Sequence, residues 1–327
     1  MVVKNSSEIK VSACVISYNQ EKYIEQCIES IVKQKTEFAF EVVVRDDCST
    51  DSTYEILCDL QKKYPSLIRL LDSSVNLGPN KNLMQVFDAA VGGYLAICEG
   101  DDYWIDPHKM QKQALSLDEN LEINLCCHPS RIEFKGRVKN NKYVGRHSNK
   151  IKIIPAYDVI QGNGNFFSTP SLMLRRTAVT NLPEWFCLTP TIDYYLQVYG
   201  SLNSGCLYLP DPMSVYRKNA ENSWTERMQT TASKVEFYQQ FILFFDHLMV
   251  ELDEKYALAV KGAKSRAYCG LALTYINASY LNDFIRYINL SWDTRPFFSW
   301  SQMAAYCLRF QPWVLRFMYK HARKFIW

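Results

Sequence analysis

Short apolar stretches recur through the first hundred residues of this chain, and three of them end abruptly in clustered polar side chains. Val11–Ser17 gives way to Ser17-Tyr18-Asn19-Gln20. Glu41–Arg45 gives way to Asp46-Asp47-Cys48-Ser49-Thr50-Asp51, and 94–98 to Glu99-Gly100-Asp101-Asp102-Tyr103-Trp104. Between these runs the apolar residues keep a different period. Ile24, Cys27, Ile28, Ile31 and Val32 recur at helical spacing, as do Leu83, Val86, Phe87 and Ala90 before Gly92-Gly93. Leu67–Leu71 adds a further strand candidate. Apolar strands without alternation need cover on both faces, and intervening helices provide it, so the spacing predicts a mostly parallel sheet flanked by helices. Ligands of such sheets sit at the carboxyl ends of the strands. All three polar clusters lie there, which points to a site.

Local signals refine the pattern. Ser52 and Glu55 have the spacing of a capping box, and Asp106-Pro107 reads as an N-cap followed by proline at the first helical position. Asp101 and Asp102, adjacent at the end of a buried strand, repel each other and are costly to desolvate unless solvent, hydrogen bonds or a cation offset the cost. The second half is less regular. Ile123–His128, Arg131–Phe134, Ser171–Arg176 and Tyr208–Tyr216 read as strands, 136–152 as a basic loop, 163–170 as a polar loop and Tyr194–Tyr199 as helix. Beyond about Thr230 the pattern is helical, with Phe237, Phe241, Phe244 and Leu248 on one stripe. A boundary near 228 divides an α/β domain (1–228, its halves about 10–105 and 106–228) from a helical extension, 229–327.

A length of 327 residues suits this division, and 48% hydrophobic with 22% charged residues is ordinary for a globular chain. A net charge of +3 argues against a nucleic-acid partner. The 11 cysteines are scattered without a CxxC pair and lie mostly in apolar runs, which favours a reducing compartment. With no apolar leader and no stretch of about 18 apolar residues, the expected location is the cytoplasm. Arg295–Trp327 carries four Arg and two Lys among Trp300, Trp313, Trp327 and several Phe. That density suits either a helical pair packed on the rest of the chain or peripheral contact with the inner membrane leaflet. No GxGxxG and no GxxxxGK[ST] occurs, so neither a Rossmann site nor a P-loop is indicated.

Four segments in order resemble the family 2 glycosyltransferases, the inverting GT-A group of the bacterial surface-polysaccharide type. Val15-Ile-Ser-Tyr-Asn19 is similar to that family's first strand and nucleotide loop. Val44-Arg-Asp-Asp-Cys-Ser-Thr-Asp51 is similar to its V-D-D-G-S-T-D signature, with Arg45 and Cys48 as departures. Glu99-Gly-Asp-Asp102 stands where the family has its DXD-type metal motif, and Thr191-Ile-Asp193-Tyr-Tyr with Met213–Arg217 resembles the segment of the catalytic base. The resemblance spans about residues 10–225.

It implies a GT-A fold and a set of roles. Asp47 would hydrogen-bond the base, with Ser17 and Asn19 lining the pocket and Gly78 and Asn82 in the loop beside it. Asp101 would contact ribose or the metal shell, Asp102 would ligate Mn2+ or Mg2+ on the diphosphate, and Asp193 would be the general base. Lys81 is placed near the phosphates on charge alone. Trp104 is a candidate substrate contact, with core filling as the alternative. The alternatives are that Asp47 only leads an Asx turn and that Asp193 only caps its helix. The chemistry needs these types: a cation held by carboxylates offsets the charge of a departing nucleoside diphosphate, and one carboxylate deprotonates the acceptor hydroxyl. The implied function is transfer of a sugar, UDP-linked by expectation, onto a growing cell-surface glycan or lipid-linked acceptor. The alternatives are a non-catalytic nucleotide- or glycan-binding module and a sugar nucleotidyltransferase. The latter is disfavoured because Tyr18–Lys22 has no glycine.

Overall fold

The parallel half of the sheet forms where the apolar runs lie. β1 (Val11–Ser17) and β2 (Phe40–Asp46) are followed by β3 (Ile68–Leu70) and β4 (Tyr94–Glu99), in the spatial order β3-β2-β1-β4, every neighbour parallel. All seven residues of β1 are buried, as the absence of alternation requires. The crossovers are α1 (Ile24–Val32), α2 (Thr53–Lys63) and α3 (Pro79–Ala89). α1 buries Ile24, Cys27, Ile28 and Ile31, the stripe its sequence predicts. α3 starts at Pro79 immediately after Gly78, whose φ of +78° suits glycine. The computed structural model describes residues 8–162 and 166–315; the polar stretch 163–170 and the basic terminus 295–327 thus lie partly outside the described residues.

The remaining strands make the sheet mixed. In chain order come β5 (Tyr103–Trp104), α4 (Lys109–Asp118), β6 (Leu125–Cys127), β7 (Ser130–Phe134), β8 (Arg137–Val144), β9 (Lys152–Ile154) and α5 (Ala156–Gly162). They are followed by β10 (Met173–Arg175), α6 (Ile192–Ser201), β11 (Cys206–Tyr208), β12 (Ser214–Lys218) and α7 (Trp224–Arg227). β10 inserts antiparallel between β4 and β6, and β11 and β9 complete eight strands. A second sheet, ordered β5-β12-β7-β8, pairs β12 antiparallel to β5 and parallel to β7.

Four local readings are corrected. The basic stretch 136–152 is not one loop but contains β8 and β9; β8 exposes most of its side chains and so shows no apolar alternation. Tyr208–Tyr216 is not one strand, because the chain leaves one sheet after β11 and enters the other at β12. Ser52 makes no side-chain cap; Asp51 accepts the Thr53 N–H at 3.0 Å in its place. α4 begins at Lys109 rather than after Asp106, whose carboxylate holds the His108 N–H at 2.8 Å and Lys112 Nζ at 2.6 Å.

Among the described residues one compact unit comprises 8–159 with 166–226, and the other 160–162 with 227–315. The second is helical: α8 (Thr231–Glu251), α9 (Ala257–Asn277), α10 (Leu281–Thr294) and α11 (Trp300–Cys307). Its core joins Cys269, Ala272 and Ile276 to Phe284, Ile288 and Ala305. The buried Gln302 amide donates to Ser265 Oγ at 3.1 Å and to the carbonyls of Ser291 at 3.0 Å and Arg295 at 2.9 Å. Among the described residues no helix is long and apolar enough to cross a membrane. All 11 cysteines are free thiols.

Candidate active site

Sheet register brings the polar clusters together. Ser17 pairs with Asp46, and Ile16 pairs with both Arg45 and Glu99, so β1, β2 and β4 end within a residue or so of one another. Beyond these ends the side chains interlock. Asp46, fully buried, accepts Ser17 Oγ at 3.0 Å and the Ser49 N–H at 2.8 Å. Asn19, at φ 51°, donates its N–H to Ser49 Oγ at 2.8 Å and accepts the Thr50 N–H on Oδ1 at 2.8 Å.

Asp47 faces the start of α3. Its carboxylate accepts the N–H groups of Leu77 at 2.7 Å and Gly78 at 2.8 Å, and Arg45 Nη1 at 3.0 Å. The same Arg45 Nη1 reaches Asn82 Oδ1 at 3.0 Å, and Nη2 reaches the Val75 carbonyl at 2.9 Å. The structure thus gathers Ser17, Asn19, Asp47, Gly78 and Asn82 into one network. Arg45 is at its centre, a residue that sequence reasoning noted only as a departure from a signature. A buried cation one residue before two acids was the signal for it. Lys81 is exposed in the first turn of α3.

At the end of β4, Glu99, Asp101 and Asp102 place carboxylate oxygens within 4.8 Å of one another. Gly100 makes the turn possible: a Cβ there would lie 2.3 Å from Gln20 Oε1 and 3.0 Å from Ile24 Cδ1. Asp102 is 0% exposed; Oδ1 accepts the Arg217 N–H at 2.7 Å, while Oδ2 is buried without a partner. Burial, then the charges of Asp101 and Glu99, push its carboxyl well above the usual range. An orphaned carboxylate oxygen beside two more carboxylates fits a hard divalent cation, which prefers oxygen ligands. Glu99, not singled out as a ligand in the sequence, completes this donor set.

Arg217 braces the turn. Nη1 donates to the Asp101 carbonyl at 2.6 Å and Nε to Glu133 Oε1 at 3.1 Å, with the guanidinium 4.5 Å from the Tyr103 ring centroid. Trp104 is not presented to a substrate: it is 4% exposed within the hydrophobic core, its ring 4.1 Å from Lys109 Nζ.

Asp193 is the second residue of α6, inside the helix rather than at its N-cap, which is Thr191. The segment before it is tied to α3 by Asn80 Nδ2, 2.6 Å from the Thr189 carbonyl. Burial pushes the Asp193 carboxyl up to about 6. Tyr216 connects it to the acidic turn. Burial raises the Tyr216 hydroxyl well above its ordinary value, and the charges of Asp102, Glu99, Asp101 and Asp193 all add to the effect. All four carboxylates therefore act on one tyrosine.

The family model for Glycosyl transferase family 2 matches residues 12–182, over half of the chain. The chain belongs to that family. Among curated relatives of this family 2 glycosyltransferase is an uncharacterized protein of Mycobacterium tuberculosis, 36% identical over 215 residues. The match covers 65% of this chain but 60% of that protein, so the chain spans less than two thirds of its relative's length. Poly(ribitol-phosphate) beta-N-acetylglucosaminyltransferase TarS of Staphylococcus aureus is 36% identical over 115 residues, 34% of this chain and 19% of TarS. Among solved structures, S. aureus TarS 1–349 in complex with UDP-GlcNAc superposes with a TM-score of 0.66 at 20% identity, covering 94% of this chain and 92% of that one. The mannosyltransferase PcManGT of Pyrobaculum calidifontis, in complex with GDP-Man and Mn2+, superposes at 0.56 with 14% identity, covering 94% and 91%. Both likenesses concern the fold, which is GT-A-like.

Proposed function

We propose that this chain is an inverting, metal-dependent glycosyltransferase that moves a sugar from a nucleotide-diphosphate donor, a UDP-sugar, onto a growing surface glycan. The observation that carries the reading is the carboxylate cluster of Glu99, Asp101 and Asp102 at the end of β4, with Asp102 Oδ2 buried and without a partner. Asp193, on α6, stands apart from these three.

The network around Asp47 and Asn82 shapes the mouth of the donor pocket, with Ser17, Asn19 and Gly78 at its rim. Asp101 and Asp102, joined by Glu99, hold the divalent cation, Mn2+ or Mg2+, which when bound supplies positive charge for the departing diphosphate. Asp193 accepts the proton of the acceptor hydroxyl as that oxygen attacks the anomeric carbon. A raised pKa brings this base nearer to working pH. Single displacement inverts the anomeric centre and needs no second carboxylate nucleophile. The UDP-GlcNAc complex of TarS supports a UDP-linked donor.

The test is calorimetric titration with UDP, GDP, CDP and dTDP, with Mn2+ and with chelator. Metal-dependent binding of UDP, lost in Asp102→Ala, is the expected result. Failure of all four nucleotides to bind would return the chain to the binding-module alternative.

We also assign the acceptor to the cytoplasmic face of a membrane, reached through 295–327. The exposed Phe297, Trp300 (82%) and Trp313 (73%) support this. So does the charge, because no acid follows Asp293 while six Lys and Arg do.

A further inference from the structure

A long basic stretch lies outside the carboxylate cluster. Residues 131–152 contain eight Lys and Arg and a single acid, Glu133. Glu133 is consumed internally, by Arg217 Nε at 3.1 Å and by the Tyr103 hydroxyl at 3.0 Å. Among the described residues no carboxylate pairs with Lys135, Arg137, Lys139 or Lys142, and all but Lys139 are classed as exposed.

Strand register connects this charge to the site. On β12, Tyr216 and Lys218 are two residues apart and so share a face. Lys218 pairs with Phe134 of β7, and Phe134 pairs with Arg137 of β8, which sets Lys218, Phe134 and Arg137 in one cross-strand row. Lys135 and Lys139 both lie over the Phe134 ring, 5.6 and 5.7 Å from its centroid. Burial and then the charge of Lys142 hold the Lys218 ammonium below its ordinary value, as crowded cations must. A basic row therefore begins about 7 Å, one same-face step, from Tyr216.

We infer that this face of β12, β7 and β8 docks the acceptor, and that the acceptor is a polyanionic glycan linked through phosphodiesters. This rests on the transferase reading of the site. Lys135, Arg137, Lys139 and Lys142, crowded on one ribbon with no carboxylate among the described residues paired to them, make a positive field that attracts a polyanion. The row is dominated by lysine, which binds phosphate as a point charge. A phosphodiester polymer laid along the row would bring one of its hydroxyls toward Tyr216 and Asp193.

The experiment measures fluorescence anisotropy of labelled poly(glycerol phosphate), polygalacturonate and dextran against the full chain. The comparison is with Lys135→Ala/Arg137→Ala/Lys139→Ala/Lys142→Ala and with a control, Lys150→Ala/Lys152→Ala, at the other sheet's edge. The wild type should bind poly(glycerol phosphate) preferentially. The quadruple variant should bind it about tenfold or more weakly, with a flatter salt dependence, as expected when ionic contacts are removed. The control should stay within about twofold, since its charges lie outside the row. All three should take UDP equally.

Unchanged polymer binding in the quadruple variant, or an equal loss in the control, overturns the docking face. Equal affinity for polygalacturonate overturns the phosphodiester assignment. Loss of binding to anionic vesicles in the quadruple variant, without polymer binding in the wild type, would make the face a lipid contact and overturn the proposal. A wild type that binds polymer but no nucleotide overturns the transferase reading instead.

Discussion

Burial pushes the Asp193 carboxyl up to about 6, and the direction of that shift has two separable consequences. The folded chain holds this proton more tightly than the unfolded chain. Stability therefore falls as pH rises from about 4 to about 6 and stays lower above that range. Asp193→Asn removes the buried charge and is expected to be the more stable protein at pH 8, by up to about 2–3 kcal/mol, with the difference fading toward pH 4. Its turnover should vanish while UDP affinity is kept, and wild-type kcat should rise with pH through about 6. Thermal unfolding and a pH–rate profile read both; a variant with wild-type kcat would remove Asp193 from the base's role.

Single residues were unevenly legible in the sequence. Asp47, Asp101 and Asp102 stand out because acids at the ends of buried strands need a reason. The part played by Glu99 and Arg45 depends on both aligning with Ile16 of β1, and no local pattern records that register. Trp104 looked available to a substrate because sequence carries no burial for an aromatic next to a polar turn.

At the scale of elements, β12 does more than fill the second sheet. It presents the Arg217 N–H to Asp102 and the Arg217 guanidinium to the Asp101 carbonyl, so the geometry of the acidic turn is held by a strand more than a hundred residues away. Arg217→Lys keeps the charge but cannot span the Asp101 carbonyl, Gln26 and Glu133 together. Mn2+ affinity, measured by calorimetry, should fall roughly ten- to a hundredfold, the usual effect of losing a residue that orients metal ligands. UDP binding at saturating Mn2+ should be unaltered, and unaltered Mn2+ affinity would refute the bracing role. β1, α1 and β4 were readable because burial on both faces, or on one stripe, imposes a period. β8 was not, because an exposed strand has no hydrophobic period to show. The division between β11 and β12 was marked by Pro210-Asp211-Pro212, which breaks a strand and which a reading of 208–216 as one strand passes over. Capping failed at Ser52 for a different reason: Asp51, one residue earlier, takes the first amide of the helix, that of Thr53, with a full charge.

For the whole molecule, charge is distributed by region. Of 37 Lys and Arg and 34 Asp and Glu, six of the bases and none of the acids follow Asp293. If that terminus rests on lipid, deleting residues 295–327 should abolish co-sedimentation with anionic vesicles and leave UDP binding intact. Sedimentation unchanged by the deletion would refute it. The broad plan, a helix-covered α/β region followed by helices, was legible from the change of period near Thr230. The antiparallel insertion of β10 was not, because three residues are too few to carry a period.

With the acceptor docked on β12, β7 and β8 as proposed, the two sheets divide the labour of the site. The carboxylates stand on the first, whose strands are locked in register, while the basic row stands on a hairpin at the free edge of the second, joined to the turn through β5 and Arg217. Substitutions on the hairpin's outer strand, β8, can drift without disturbing the donor end. A lineage of such chains could thus change the polymer it decorates by exchanging one exposed ribbon, keeping its activated sugar and its chemistry as an inherited constant.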